Sequence, residues 1–192
     1  SMMLQNLRKN LAGIPGWRTN RKIVVFESDD WGAVRMSSVE SNERLNQKGV
    51  KASGSDEERY LRNDGLASVD DLTGLFEVLS SVEDKNNNPA TFTAVSVVAN
   101  PVFDKIKENG YQNYIYEPFT ETLKRYPQHS GSFELWKEGI AKRLFVPQFH
   151  GREHLNVSNW LKALRDGEPD TIKAFEHDVY EIGRASCRGR VM

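Results

Sequence analysis

The sequence predicts an α/β fold with parallel strands and flanking helices, and three observations support this. Three short runs rich in β-branched and aromatic residues, at 22–28, 91–98 and 144–149, are typical of strands. Segments with apolar residues at three-and-four spacing lie between and after these runs and are typical of amphipathic helices. Because strand and helix alternate, the chain is expected to form a parallel sheet with right-handed crossovers.

The first predicted strand, at 22–28, contains four consecutive apolar residues, which predicts a strand buried on both faces. Two adjacent carboxylates, Asp29 and Asp30, follow it, and then Trp31 and a glycine. Neighbouring acids at a strand end repel each other and lose hydration, and a bound cation is a common compensation. The alternative is a solvated turn in which Asp29 caps Gly32.

The region between the first strand and the next helix is long and polar. Residues 33–67 are irregular, and their length predicts a functional loop or lid with a helical turn near 40–46. Ser68 is then predicted to cap a helix, with Asp71 at the capping-box position. The apolar face of that helix is predicted to consist of Val69, Leu72, Leu75, Phe76, Leu79 and Val82.

The later helices have start signals of their own. Asn100 and Pro101 predict a helix with a cap and a proline in its first turn. Ser132 is predicted to cap the helix that precedes the third strand. Two more helices are expected after the third strand, one near Val157 and one that starts at Pro169.

Length and composition predict a single domain: 192 residues, 28% charged, with a net charge of −1. A net charge this close to zero gives no overall electrostatic attraction to nucleic acid or to a membrane surface. No apolar run reaches membrane-spanning length. Cys187 is the sole cysteine and no secretory signal is visible, which together predict a cytoplasmic protein. Residues 181–192 lose the apolar periodicity and are predicted to be a non-native tail. The expected domain is therefore 1–180, incomplete on its C-terminal side.

The residues that suggest chemistry follow the first and third strands. In parallel α/β folds the loops after the strands converge on one face, so Asp29 and Asp30 are expected to meet His150 and His154. Two imidazoles and a carboxylate form a mixed ligand set that leaves a position open for water or substrate. The sequence therefore predicts a divalent metal site, with zinc as the default cation.

These motifs resemble those of the polysaccharide deacetylase family, the NodB-homology carbohydrate esterases, and most closely its less typical members. The family's first motif, an aromatic residue followed by Asp-Asp-Gly, corresponds to 26–32 here, and its His-Ser/Thr-x-x-His motif corresponds to 150–154. The resemblance implies the front part of an irregular (β/α) barrel and a metal-dependent hydrolase that removes N- or O-linked acetyl groups from a carbohydrate. It also implies that Asp29 is the general base. The implied metal ligands are Asp30, His150 and His154.

The match departs from the family pattern at several points. Two residues separate Phe26 from the Asp pair, Trp31 precedes the glycine, and Gly151 replaces the hydroxyl residue of the second motif. The family's later motifs, which include the general acid, do not follow His154. The resemblance therefore leaves the acid of the reaction unassigned.

Three other interpretations of the same residues stay open. Residues 150–154 also spell His-x-x-Glu-His, an inverted zinc-peptidase motif with Glu153 as the base, and that motif requires a helix. Two histidines and a carboxylate can also form a ferrous oxygenase triad. The non-enzymatic interpretation is a metal-free domain that binds carbohydrate through Trp31, Tyr60 or Tyr111.

Trp31 and Arg152 are the predicted substrate-binding residues. Trp31 could stack on a sugar ring beside the Asp pair, and Arg152 could meet acidic substrate groups. Arg35, like Arg152, could instead be a surface ion-pair partner. The expected partner is an acetylated carbohydrate, with no nucleic acid and no membrane. Because a partial barrel exposes strand edges, self-association through those edges is also expected.

Overall fold

The computed structural model describes residues 19–36, 39–50 and 65–180, together with Leu11 and Gly16. The predicted tail at 181–192 and the middle of the predicted loop, 51–64, lie outside the described residues. The strands are β1 Phe26–Trp31, β2 Phe92–Val97, β3 Ala99–Pro101, β4 Tyr116–Pro118 and β5 Phe145–Gly151. The helices are α1 Val39–Gln47, α2 Val69–Ser80, α3 Phe103–Glu108, α4 Phe119–Arg125, α5 Ser132–Ala141, α6 Val157–Arg165 and α7 Pro169–Phe175.

The predicted parallel sheet is present and has three strands in the order β1-β2-β5. β2 is central and pairs in parallel with both neighbours, so that Ala94 lies between Ser28 of β1 and Pro147 of β5. A second, antiparallel pair is formed by β3 and β4, directly after the end of β2. The prediction of an α/β fold with parallel strands and flanking helices is therefore confirmed at this level.

The prediction for the first strand was wrong in its start and in its burial. β1 begins at Phe26, and the apolar residues before it are exposed, with Val24 75% accessible. The physical reason is position in the sheet, because the order β1-β2-β5 gives β1 one neighbour and leaves its other edge unpaired among the described residues. An apolar run indicates the capacity to be buried, whereas burial also requires a partner element.

One hydrophobic core lies between the sheet and the helices α2 and α5. Phe76 of α2, Trp136 of α5 and Phe145 of β5 meet edge-on, with Trp136 and Phe145 4.9 Å apart between ring centroids. Phe145 is fully buried, which contributes about 1.5–3 kcal/mol for a side chain of this size. This core fixes the position of β5 and therefore of the segment that follows it.

A second core lies among the helices that follow the strands. Trp160 of α6 is fully buried and packs against Phe103 of α3 and Phe175 of α7. Val34, from the loop after β1, belongs to the same cluster. The loop that follows the Asp pair is therefore anchored in this core.

Helix starts were predicted with mixed success. The helix near 40–46 is α1, and Ser68 caps α2 through the predicted capping box with Asp71. The cap predicted at Asn100 was wrong, because Asn100 and Pro101 form β3 and α3 starts at Phe103. Ser132 is likewise the first residue of α5 and not its cap, since Gly131 holds the cap position. Helices do begin at Val157 and Pro169 as predicted.

Large apolar side chains remain exposed on both outer strands of the sheet. Phe26 on β1 and Phe149 on β5 are 53% and 75% accessible. Such surface is typical of an edge that another element or chain can cover, and self-association through it stays a prediction. None of the described helices is long and apolar enough to cross a membrane.

Candidate metal centre

Asp30 lies at a β-bulge in β1. The pairing with β2 passes from Ser28↔Ala94 to Trp31↔Ser96, so β1 has one residue more than its partner in this interval. Asp30 has a φ of +62°, a conformation that Asp tolerates better than most residues. Bulges are frequent next to active sites because they redirect a side chain, and this one sets the direction of the Asp30 carboxylate.

His150 lies at a corresponding bulge on the other side of β2. Pairing passes from Ser96↔Phe149 to Val97↔Gly151, so His150 is the additional residue of β5. Gly151 follows with a φ of +149°, a conformation that residues with a side chain rarely adopt. This requirement gives a physical reason for a glycine where the family pattern has a hydroxyl residue. The turn brings His154 back beside His150, with the two rings 5.7 Å apart and nearly parallel at 14°.

The structure brings the three predicted metal ligands together. Oδ1 of Asp30 lies 3.6 Å from Nε2 of His150 and 3.9 Å from Nε2 of His154. One potential ligand atom from each of the three residues lies within 4.8 Å of the others. Oδ1 of Asp30 is buried and accepts no hydrogen bond from the described part of the chain. The geometry therefore presents an oxygen and two nitrogens to one common point.

The other oxygen of Asp30 is held by Arg35, for which the sequence left two roles open, contact with acidic substrate groups or a surface ion pair. Nη2 of Arg35 donates to Oδ2 of Asp30, and the side chains of the two residues are only 6% and 15% exposed. Arg35 therefore does form an ion pair, but the pair is largely buried, so its predicted location at the surface was wrong. Arg35 supplies the counter-charge of Asp30 and leaves Oδ1 directed toward the histidines.

A buried asparagine, Asn100, fixes the loop that carries Arg35. Oδ1 of Asn100 accepts a hydrogen bond from the backbone N–H of Val34 at 2.8 Å, and its Nδ2 donates to the carbonyl of Gly32 at 2.9 Å. Gly32 has a φ of +84°, and a Cβ on it would lie 2.6 Å from the carbonyl oxygen of Val97. The loop after β1 is thus tied closely to the carboxyl end of β2.

Asp29 and Trp31 flank Asp30 and have different surroundings. Asp29 is exposed, so its carboxylate is open to water, and it precedes the triad residue Asp30 in the chain. Trp31 packs against Phe145 at 5.1 Å between centroids and contacts Phe92 and Trp136 in the same cluster. The ring of Trp31 is therefore part of the core under the sheet, and its role in substrate binding stays a prediction.

Arg152 is engaged within the chain. Its Nε and Nη2 donate to the two carboxylate oxygens of Glu153, an arrangement that raises the pKa of Arg152. The guanidinium also lies over the rings of Tyr116 and Tyr114, at 4.5 and 5.4 Å from their centroids. Sequence reasoning missed both tyrosines, which are far from the histidine motif in the chain.

The zinc-peptidase interpretation requires residues 150–154 to be helical, and this requirement is not met. His150 and Gly151 belong to β5, residues 152–154 are not helical, and the helix that follows β5 starts only at Val157. The carboxylate of Glu153, which that mechanism needs as a base, is paired with Arg152. Residues 150–154 therefore form the end of a strand and the irregular segment after it.

A separate cavity of about 350 Å³ lies beside the loop after β1. Val34, Asp104, Arg125, Tyr126 and Asp178 are among the residues that line it. Burial, and to a smaller degree Asp178, raises the pKa of Tyr126 to about 12. Desolvation and the nearby Asp104 raise the pKa of Asp178. The cavity is acidic, but its carboxylates do not belong to the metal-ligand group found among the described residues.

Comparisons of the chain with protein-family models, with curated proteins and with solved structures found no match. The fold observed in the described residues is a mixed α/β arrangement with a three-stranded parallel sheet. The triad of Asp30, His150 and His154 is the feature of the described residues that bears most directly on function.

Proposed function

We propose that this chain binds one divalent cation, zinc by default, and hydrolyses an acetyl amide or ester on a carbohydrate. The observation that carries the proposal is the meeting of one carboxylate oxygen and two imidazole nitrogens within 4.8 Å of one another. The acetylated substrate is supported by the resemblance of the Asp-Asp and His-x-x-x-His motifs to those of polysaccharide deacetylases.

The residues present fit a cation of this kind. Ligands about 2.1 Å from a tetrahedral zinc lie about 3.4 Å from one another. The distances from Oδ1 of Asp30 to the two Nε2 atoms, 3.6 and 3.9 Å, are close to that value. Oδ1 is buried without a hydrogen-bond partner among the described residues, and such an oxygen is costly to bury unless a cation or donor satisfies it.

A cation held by three protein ligands keeps room for substrate or water, and it would supply a Lewis acid that polarises an acyl oxygen and acidifies water. Within the chain, Asp29 is the group assigned to accept a proton. Asp29 is adjacent to the ligand Asp30 in sequence and exposed to solvent, so it can return that proton to water. Oδ2 of Asp30 is bound by Arg35 and its Oδ1 would hold the cation, so Asp30 is unsuited to act as the base.

Metal binding is tested first, by titrating Zn²⁺ and Co²⁺ into protein freed of metal by a chelator. The wild type is expected to bind one equivalent, and the Asp30→Ala and His150→Ala variants are expected to lose at least about 100-fold in affinity. His177→Gln is the matched control, because His177 is a histidine outside the triad and should leave the affinity unchanged. Equal metal binding by the wild type and both ligand variants would remove the proposal.

Hydrolysis is tested separately, as acetate release from N-acetylated chito-oligosaccharides and from O-acetylated xylan. The Asp29→Asn variant is expected to keep one equivalent of metal and to lose at least about 100-fold in the rate of acetate release. Metal binding without acetate release from either substrate would refute the hydrolase and leave only the metal site. The two assays therefore separate the metal site from the reaction.

A further inference from the structure

Arg152 lies midway between the two histidines of the triad, and its side chain is held by residues of the same chain. Its guanidinium lies over the ring of Tyr116, 4.5 Å from the centroid, and over the ring of Tyr114 at 5.4 Å. Its Nε and Nη2 donate to the two carboxylate oxygens of Glu153, whose side chain is only 9% exposed. The guanidinium therefore has partners both at its edge and over its plane.

The backbone of Arg152 is joined to the strand pair that carries Tyr116. Its carbonyl oxygen accepts the backbone N–H groups of Val98 at 3.1 Å and of Ala99 at 2.8 Å, where β3 begins. β3 pairs with β4, and Pro101 of β3 lies opposite Tyr116 of β4. Arg152 thus contacts β3 through its backbone and β4 through its side chain, so it attaches residues 150–154 to this strand pair at two points.

This attachment bears on how the two imidazoles are oriented. Gly151 follows His150 with a φ of +149° and, as a glycine, does little to restrict the backbone by itself. Nδ1 of His154 is buried and makes no hydrogen bond within the described part of the chain. Metal-ligating histidines are ordinarily oriented by a hydrogen bond that the second ring nitrogen makes. The direction of the His154 ring therefore depends on where the backbone of this segment is held.

We infer that Arg152 is a positioning residue, which holds residues 150–154 so that the two imidazoles and Asp30 face one cation. This inference rests on the proposed function, because it concerns the affinity of the same metal site. It gives the guanidinium a role within the chain in place of the substrate contact predicted from the sequence. Ligands that are already arranged in the metal-free protein need less ordering when a cation binds, and they therefore bind it more tightly.

The test is the affinity of chelator-treated protein for Co²⁺, followed by the visible absorption of the bound ion. Arg152→Lys keeps the positive charge but loses the planar group that meets the rings and both oxygens of Glu153. It is expected to bind Co²⁺ about 10-fold more weakly than the wild type, with a weaker absorption band per bound ion because the imidazoles are less uniformly placed. Tyr116→Leu should weaken binding in the same direction, whereas Tyr116→Phe, which keeps the ring, should stay within about twofold of the wild type.

Arg125→Lys is the matched control. The side chain of Arg125 is 46% exposed, as that of Arg152 is, and it also pairs with a partly buried glutamate, Glu117, but it lies outside the histidine segment. This variant should bind Co²⁺ as the wild type does. Urea denaturation of the metal-free variants separates positioning from stability. A merely structural role of Arg152 would lower the unfolding midpoint and leave the Co²⁺ affinity and absorption of the folded protein unchanged.

Wild-type affinity and absorption in folded Arg152→Lys and Tyr116→Leu would overturn the inference, and so would an equal loss of affinity in Arg125→Lys. If Arg152→Lys does not fold, the comparison of Tyr116→Leu with Tyr116→Phe decides. Failure of the proposed function has a different signature, namely a wild type that binds no Co²⁺.

Discussion

Arg35 and Asp30 form an ion pair that is largely removed from solvent, with side chains 6% and 15% exposed. Replacing Arg35 with Met removes the guanidinium and keeps an unbranched apolar chain of similar length. In the metal-free protein this substitution leaves the Asp30 carboxylate without its counter-charge, and the proton-free form of a buried acid is then costly. We therefore expect a large loss of stability that depends on Asp30.

The magnitude follows from the burial of the pair. Removing one partner of a buried salt bridge costs about 3–5 kcal/mol, and the residual exposure of Asp30 favours the lower end, about 3 kcal/mol. For a chain of this length, each kcal/mol shifts Tm by about 2–4 °C. The Arg35→Met variant should therefore unfold about 6–12 °C below the wild type in the presence of a chelator.

The assay is urea denaturation of metal-free protein in a double-mutant cycle with Asp30→Asn. The cycle cancels whatever else Arg35 contacts, so that the coupling energy reports the pair itself and should reach about 1–3 kcal/mol. A divalent cation at 100 times its Kd should then stabilise the Arg35→Met variant by about 2.7 kcal/mol, because a ligand that binds only the folded state stabilises it by RT ln(1 + [L]/Kd). The same addition should leave Asp30→Asn unchanged.

Two results would refute this reasoning. The first is a loss of less than about 1 kcal/mol in Arg35→Met, which would show that the carboxylate is well solvated without Arg35. The second is additivity of the two substitutions, which would show that each acts through other contacts.

Three further predictions concern the loops and helix ends around the site. Gly32→Ala should cost about 2–3 kcal/mol in urea denaturation and weaken Co²⁺ binding, because a Cβ there lies 2.6 Å from the Val97 carbonyl at a φ of +84°. Hydrogen bonds from Ser68 lower the pKa of Asp71, so Asp71→Asn should cost about 0.5–1 kcal/mol at pH 7. That difference should disappear as the pH falls through the lowered pKa, since the wild type then loses the same interaction. Asp178 has a raised pKa and a φ of +57°, so Asp178→Asn should raise Tm at pH 7 and have a smaller effect near pH 4.

The elements that depend on local chemistry could be predicted from the sequence. The capping box at Ser68 and the helices that start at Val157 and Pro169 need only a few neighbouring residues. The meeting of Asp30 with the histidines could also be predicted, because parallel strands bring their carboxyl ends to one edge. That inference needs the strand directions alone and not the details of packing.

The features that depend on distant partners could not be predicted in this way. Burial of β1 was overestimated, because the run at its start does not reveal how many strands will lie beside it. The bulges that carry Asp30 and His150 arise from pairing with β2, which no pattern within either strand encodes. Asn100 was predicted to cap a helix, but its side chain instead accepts a hydrogen bond from the backbone N–H of Val34, 66 residues away. The sequence does not show which of these two backbone groups an asparagine side chain will satisfy.

The two oxygens of Asp30 have different surroundings, and this difference bears on the affinity of the proposed cation site. Arg35 neutralises the charge of Asp30 through Oδ2, so burial of this carboxylate in the folded protein does not depend on a metal. Oδ1 has no hydrogen-bond donor among the described residues and lies between the two Nε2 atoms, so the position for a cation is kept open by the same contact. At an effective dielectric constant near 20, two unit charges 4 Å apart interact by about 4 kcal/mol, so a nearby guanidinium also opposes the entry of a second positive charge. Under the proposed function, Arg35 would therefore stabilise the Asp30 carboxylate in the metal-free protein at the expense of the affinity of the triad for a cation.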